Sequence, residues 1–198
     1  LVKEWVDGYA GWLLYLRSEG TNNIGLSFFQ QFTGANGRWD IDYKLTRNAW
    51  NHLTLVYDHS SASNDPLIYI NGEEIPFIEA APAHTPSGTV ENDIGIPLFI
   101  GTNNDLDQNF DGNITNLEFW NKELTQSEAQ DIMNNGVTGD EEGLVSYWKF
   151  NAGEGDILYD HSGNQNHGDI YGTTWSVDVP VPGCTDLEAD NYDSQATA

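Results

Sequence analysis

The stretch "GRWDIDYKL", residues 37–45, alternates along its whole length. Trp39, Ile41, Tyr43 and Leu45 fall on one side, and Asp40, Asp42 and Lys44 on the other. A repeat of two is the pattern of a strand with one face against a core and the other toward water. The polar, glycine-bearing "GANG" just before it (34–37) is the kind of loop that closes a hairpin.

Working outward, the same punctuation recurs. "GWLLYLRSEG" (11–20), "GLSFFQQFTG" (25–34), "WNHLTLVYD" (50–58), "IPLFIGT" (96–102), "GNITNLEFWN" (112–121), "GLVSYWKFNAG" (143–153) and "GTTWSVDVP" (172–180) are short runs rich in β-branched and aromatic residues. Gly, Asn, Asp and Pro clusters separate them. "PLIYINGEEI" (66–75) adds a strand and a hairpin, with Asn71-Gly72 suited to the positive φ of a tight turn. One helix interrupts the series. In "LTQSEAQDIMNNG" (124–136), Thr125 and Glu128 form a capping box, Leu124 staples onto Ala129, and Gly136 sits at the C-cap. The pattern predicts an all-β, two-sheet antiparallel sandwich of about eight or nine strands with one short helix near 125–135.

Composition agrees and narrows function. The chain has 198 residues, 38% of them hydrophobic and 12% aromatic, with seven Trp, enough for one packed core. Acidic residues number 31 against 7 basic, a formal charge of −24, so nucleic acid and anionic membrane surfaces are excluded as partners. No apolar run approaches the roughly 18–20 residues of a membrane span. A single cysteine, Cys184, builds neither an internal disulfide nor a thiolate zinc site.

Two loops read as cation sites. In "DHSGNQNHG" (160–168), Asp160, Ser162, Asn164 and Asn166 place an oxygen at every second position of a glycine-bearing loop. Calcium takes six to eight oxygens at about 2.3–2.6 Å, so the loop is expected to bind calcium in a structural role. The competing reading is an Asn/Gly turn whose side chains bond their own backbone. His161 and His167 lack the spacing and the third ligand of a zinc site. The second loop, "NNDLDQNFDGN" (103–113), offers Asp105, Asp107 and Asp111. Here Asp111 is the expected contributor to a cation, Asp105 and Asp107 candidate ligand contacts, and a solvated hairpin the alternative.

Asp40 and Asp42 share a strand face, as paired carboxylates of glycosidases do at about 5–5.5 Å. Lys44 occupies the next position on that face, and no nucleophile elbow, zincin or P-loop motif is present, so no enzyme is expected. Asp40 and Asp42 then line a polar strip. Trp39 and Tyr43 are core residues if their side of the strand turns inward, and sugar-stacking residues if it turns outward.

"WNHLTLVYD", "PLIYINGEEI", "PLFIGTNN", "FDGNITNLEFWNKELTQSEAQDIM" and "GLVSYWKFNAGEGDILYDHSGNQNHGDIYGTTWS" resemble, in order and spacing, the laminin-G-like jellyroll domains of the concanavalin A-like lectin/glucanase superfamily. The resemblance runs from about residue 11 to 178. It implies two curved sheets packed face to face, in a module that binds glycans or surface polymers on extracellular, secreted or surface-attached proteins, often with calcium, next to neighbouring domains. It also implies strands upstream of "GWLLYL", so residues 1–179 are expected to form a sandwich lacking them. Residues 180–198 are expected to be a linker and the start of a short acidic module, with the partner of Cys184 lying outside the sequence. The expected function is noncatalytic binding of a glycan; a structural spacer domain is the alternative.

Overall fold

The computed structural model describes residues 1–4, 10–18, 24–41, 45–76, 78–79, 85–103 and 105–178. The chain divides into two compact units, Leu1–Phe110 and Asp111–Ala198. Among the described residues the structure is antiparallel β with one helix.

In the first unit, β1 (Val2–Glu4), β2 (Gly11–Ser18), β3 (Ile24–Gln30), β4 (Gly37–Ile41) and β8 (Ile78–Glu79) form a sheet in the order β1-β2-β3-β4-β8. A second sheet holds β5 (Leu53–Val56), β6 (Leu67–Ile70) and β7 (Glu73–Glu74). Register follows the period-two rule: Leu14 pairs with Phe28 and Phe28 with Trp39, so one face carries all three. Trp39 and Ile41 are 0% exposed, and the alternation in β4 reads buried, half-buried, buried as its sequence predicts.

Leu14, Leu26, Phe28, Trp39 and Ile41 of one sheet cluster with Ile68 and Ile70 of the other, which makes the pair a sandwich. Full burial of each such side chain contributes roughly 1.5–3 kcal/mol. Trp39 stacks on Phe28 with ring centres 5.6 Å apart, and Tyr57 meets Trp39 and Phe28 at 5.3 and 5.2 Å. The indole N–H of Trp39 donates to Asp65 Oδ1 at 3.0 Å, so the buried ring keeps its polar edge satisfied. The β6–β7 turn is built as expected, with φ of 50° at Asn71 and 77° at Gly72.

In the second unit, β9 (Leu117–Trp120) pairs with β10 (Leu144–Trp148), and β11 (Ile157–Leu158) with β12 (Gly168–Asp169). Helix α1 (Gln126–Asn135) carries the expected capping box, and Leu124 and Ala129 are buried.

Some expected strands are shorter or absent. Among the described residues "IPLFIGT" contributes only one bridge, Phe99 to Val2, because Gly95 and Gly101 at φ 83° and 80° turn the chain on either side. The strand at 112–121 starts only at Leu117, after Asn116 at φ 47°. Residues 172–178 form no strand. The short β1 and β11–β12 pairs were not expected, since two- and three-residue strands leave no readable period. Residues 179–198, with Cys184, lie outside the described residues.

Candidate functional site

The 160–168 loop is held by Asp160, which is 7% exposed. Its Oδ1 accepts the backbone N–H groups of Tyr147 at 2.8 Å and Ser162 at 2.9 Å. Its Oδ2 accepts the Asn166 N–H and the Ser162 hydroxyl, both at 2.9 Å. Burial pulls the carboxyl pKa up, but these donors outweigh it and hold the group below its ordinary value. The Asp160 N–H donates to His167 Nδ1 at 3.0 Å, which gives that ring a structural task.

Ser162, Asn164 and Asn166 do gather as their spacing predicts, but they gather around β10. The amide groups of Asn164 and Asn166 donate to the Val145 carbonyl at 2.9 and 3.1 Å, and the Ser162 hydroxyl, whose one proton goes to Asp160, lies 3.0 Å from the same oxygen. The Asn166 carbonyl accepts the indole N–H of Trp148 at 2.8 Å. A carboxylate offers about four lone-pair sites, and all four on Asp160 are taken by donors. The two amides turn N–H groups, not oxygens, toward the shared centre. The residues present therefore do not fit a calcium ion; the loop is a hydrogen-bonded clasp that pins 160–168 to β10. Among the described residues, no group of three or more His, Cys, Asp or Glu side chains comes together to hold a metal.

The 103–113 loop is similarly self-contained. Asn103 donates to Asp107 Oδ1 at 2.8 Å, and its own Oδ1 accepts the N–H groups of Asp107 and Gln108. Asp105, Asp107 and Asp111 are all exposed.

On β4, Asp40 is tied down. Arg38 approaches it with Nε at 3.0 Å and Nη2 at 3.1 Å, Arg17 reaches Oδ2 at 3.3 Å, and the Ser27 hydroxyl donates at 2.5 Å. In a chain with so few bases, two arginines on one half-buried carboxylate neutralise it and fix its orientation. Trp39, considered above as a possible sugar platform, is a core residue: Phe28 and Tyr57 pack on it and nothing of it reaches solvent. Asp42 and Tyr43 lie outside the described residues.

Sequence reasoning missed the exposed aromatic face of the second unit. The β11–β12 register pairs Ile157 with Asp169, which carries on to set Tyr159 across from His167, their rings 5.5 Å apart. Beyond the ladder the Ile170 N–H donates to the Asp156 carbonyl at 2.8 Å, and Tyr171 follows this contact. Tyr171 is 79% exposed and Tyr159 49%. A cavity of about 460 Å³ in the same unit lies among Thr115, Asn116, Lys149, Asn151 and Trp175. Tyr159 and Tyr171, on either side of "DHSGNQNHG", were the available signal, hidden by the stronger pattern of oxygens between them.

The laminin G-like sequence model of the concanavalin A-like lectin/glucanases superfamily matches residues 2–130, and the chain belongs to that superfamily. The match starts earlier than the resemblance read from sequence and ends at 130 rather than about 178, taking in residues 2–110 of the first unit, β9 and the first half of α1. Comparison with curated proteins and with solved structures returns no match.

Proposed function

We propose that this chain is a noncatalytic carbohydrate-binding module of a secreted or surface-attached protein. Its superfamily is named for both lectins and glucanases, so the question is which half applies. The observation that carries the choice is Asp40. A glycosidase carboxylate must be open to a sugar and free to take or give a proton. Asp40 has both oxygens engaged by guanidinium groups, with side-chain exposure of 16%. Such a carboxylate supports the sheet and offers nothing to a glycosidic bond. With its net charge of −24, the module binds neither nucleic acid nor anionic lipid; its partners are glycans and the domains next to it in a longer protein.

The test is affinity electrophoresis of the whole chain through gels cast with a panel of polysaccharides, run beside a reducing-sugar release assay. Retardation by at least one polymer, without sugar release, is the expected result. Release abolished by Asp40→Asn would replace the binding module with an enzyme, and free migration through every gel would leave a structural spacer.

A further inference from the structure

We infer that the cavity of the second unit is the sugar-binding subsite of this module, built for a neutral hexose unit held against Trp175, with the glycan running on over Tyr171 toward Tyr159. This rests on the carbohydrate-binding reading above and gives it a location and a ligand class.

The cavity is set between the turn before β9, the segment after β10 and residues 175–177. Its volume, about 460 Å³, lies within the range of small-ligand sites, roughly 300–1,000 Å³. Its lining is what a sugar ring requires: a flat aromatic face for the C–H side, and amide, hydroxyl and ammonium groups for the ring hydroxyls.

The groups are oriented in advance. The indole N–H of Trp175 donates to the Gly155 carbonyl at 3.2 Å, which fixes the ring. The Tyr147 hydroxyl donates to Asn116 Oδ1 at 3.4 Å, which leaves the amide N–H groups of Asn116 to donate to a ligand's oxygens. Lys149 holds its ammonium 5.2 Å from the centre of the Tyr147 ring, and its carbonyl accepts the Thr115 hydroxyl at 3.2 Å.

The backbone carries a second, independent sign. Asn116 and Phe150, on two different segments lining this one cavity, both adopt left-handed φ, 47° and 56°. For a residue as bulky as phenylalanine this is a costly conformation, and such strain collects where ligands are clamped.

The charge pattern selects the ligand. Among the described residues no Asp or Glu lines the cavity, although the chain carries 31 of them. The surrounding field is nonetheless strongly negative and works against uronate-rich or sulfated polymers, leaving neutral sugars as the favoured class. The exposed tyrosines supply the continuation. The Ile170 N–H donates to the Asp156 carbonyl at 2.8 Å, which brings Tyr171 to the Gly155–Asp156 turn whose Gly155 carbonyl anchors Trp175, and Tyr159 follows just beyond β11.

The test titrates the whole chain with neutral gluco-, manno- and galacto-oligosaccharides and with oligouronates, following Trp fluorescence and binding heat. Binding of a neutral oligosaccharide is expected, weakened tenfold or more by Asn151→Ala and by Trp175→Ala, and less by Trp175→Phe. Tyr171→Ala is expected to weaken a long oligosaccharide and leave a disaccharide unaffected. Asn151 is exposed, so its variant keeps the fold, and equal melting temperatures check this. Variants that melt and bind like the parent overturn the subsite while the binding function stands. Preference for oligouronates overturns the ligand class. No binding by the parent to any glycan removes both the subsite and the function it rests on.

Discussion

Replacing Asp160 by Asn changes one atom's identity at the centre of the β10 clasp. The carboxylate accepts four hydrogen bonds, three from backbone N–H groups of Tyr147, Ser162 and Asn166 and one from the Ser162 hydroxyl. Asparagine keeps one acceptor oxygen and turns an NH2 toward two of the former donors, so two charge-assisted bonds are lost. At about 1.5–3 kcal/mol for a bond to a charged group, the loss is about 3–6 kcal/mol. This is a large share of the roughly 5–15 kcal/mol that holds a domain folded. Urea or thermal unfolding, followed by Trp fluorescence, measures it. The pH dependence must match: a carboxyl whose folded pKa lies below its unfolded value contributes stability above that unfolded value, near 3.8. That contribution is lost as pH falls through the folded pKa. The parent is therefore expected to lose the Asp160 contribution below about pH 4 and converge on the variant. The clasp is complete without a cation, so the parent's melting temperature is expected to be the same in millimolar calcium and in EDTA. A variant as stable as the parent at pH 7 would refute the hydrogen-bond account. A midpoint raised by calcium in the parent but not in the variant would return the ion to Asp160.

Other perturbations have clear signs. Glu118, half-buried on β9, has its pKa pushed up to about 7, first by burial and then by the nearby charge of Glu141. Its folded form binds a proton that the unfolded chain releases near 4.5, so stability falls as pH rises from about 4.5 through 7. The gap sets a ceiling of about 3 kcal/mol, which solvent around a partly exposed group reduces to about 1–2 kcal/mol. Glu118→Gln is expected to stabilise by that amount at pH 8 and by nothing at pH 4, as read by denaturant titration at each pH. Gly139 sits at φ 113°, where an added Cβ would lie 2.4 Å from the His161 carbonyl oxygen. Gly139→Ala is therefore expected to lower the melting temperature sharply, more than a substitution at the open Gly153. Trp39→Ala, by emptying the sandwich core, is expected to cost about 3–5 kcal/mol in urea unfolding. If it instead melted normally but lost glycan binding, Trp39 would be a ligand platform after all.

The sequence by itself determined the strands whose alternation is long enough to read, the Asn71-Gly72 turn and the capped helix. Period two fixes which side of β4 is buried whatever packs on it, and a capping box needs only its own four residues. Tertiary structure decided what those faces meet. Trp39 and Asp40 are neighbours on one strand, but only the second sheet makes the ring core, and only Arg17 from β2 and Arg38 from the same strand make the carboxylate inert. The oxygens of the 160–168 loop have the spacing of a cation site. Whether lone pairs or N–H groups face inward depends on β10, whose Val145 carbonyl and Tyr147 N–H turn the loop into a clasp. The cavity was illegible for the same reason. Trp175, Asn116 and Asn151 are far apart in sequence, and no local propensity records that the chain brings them around one space.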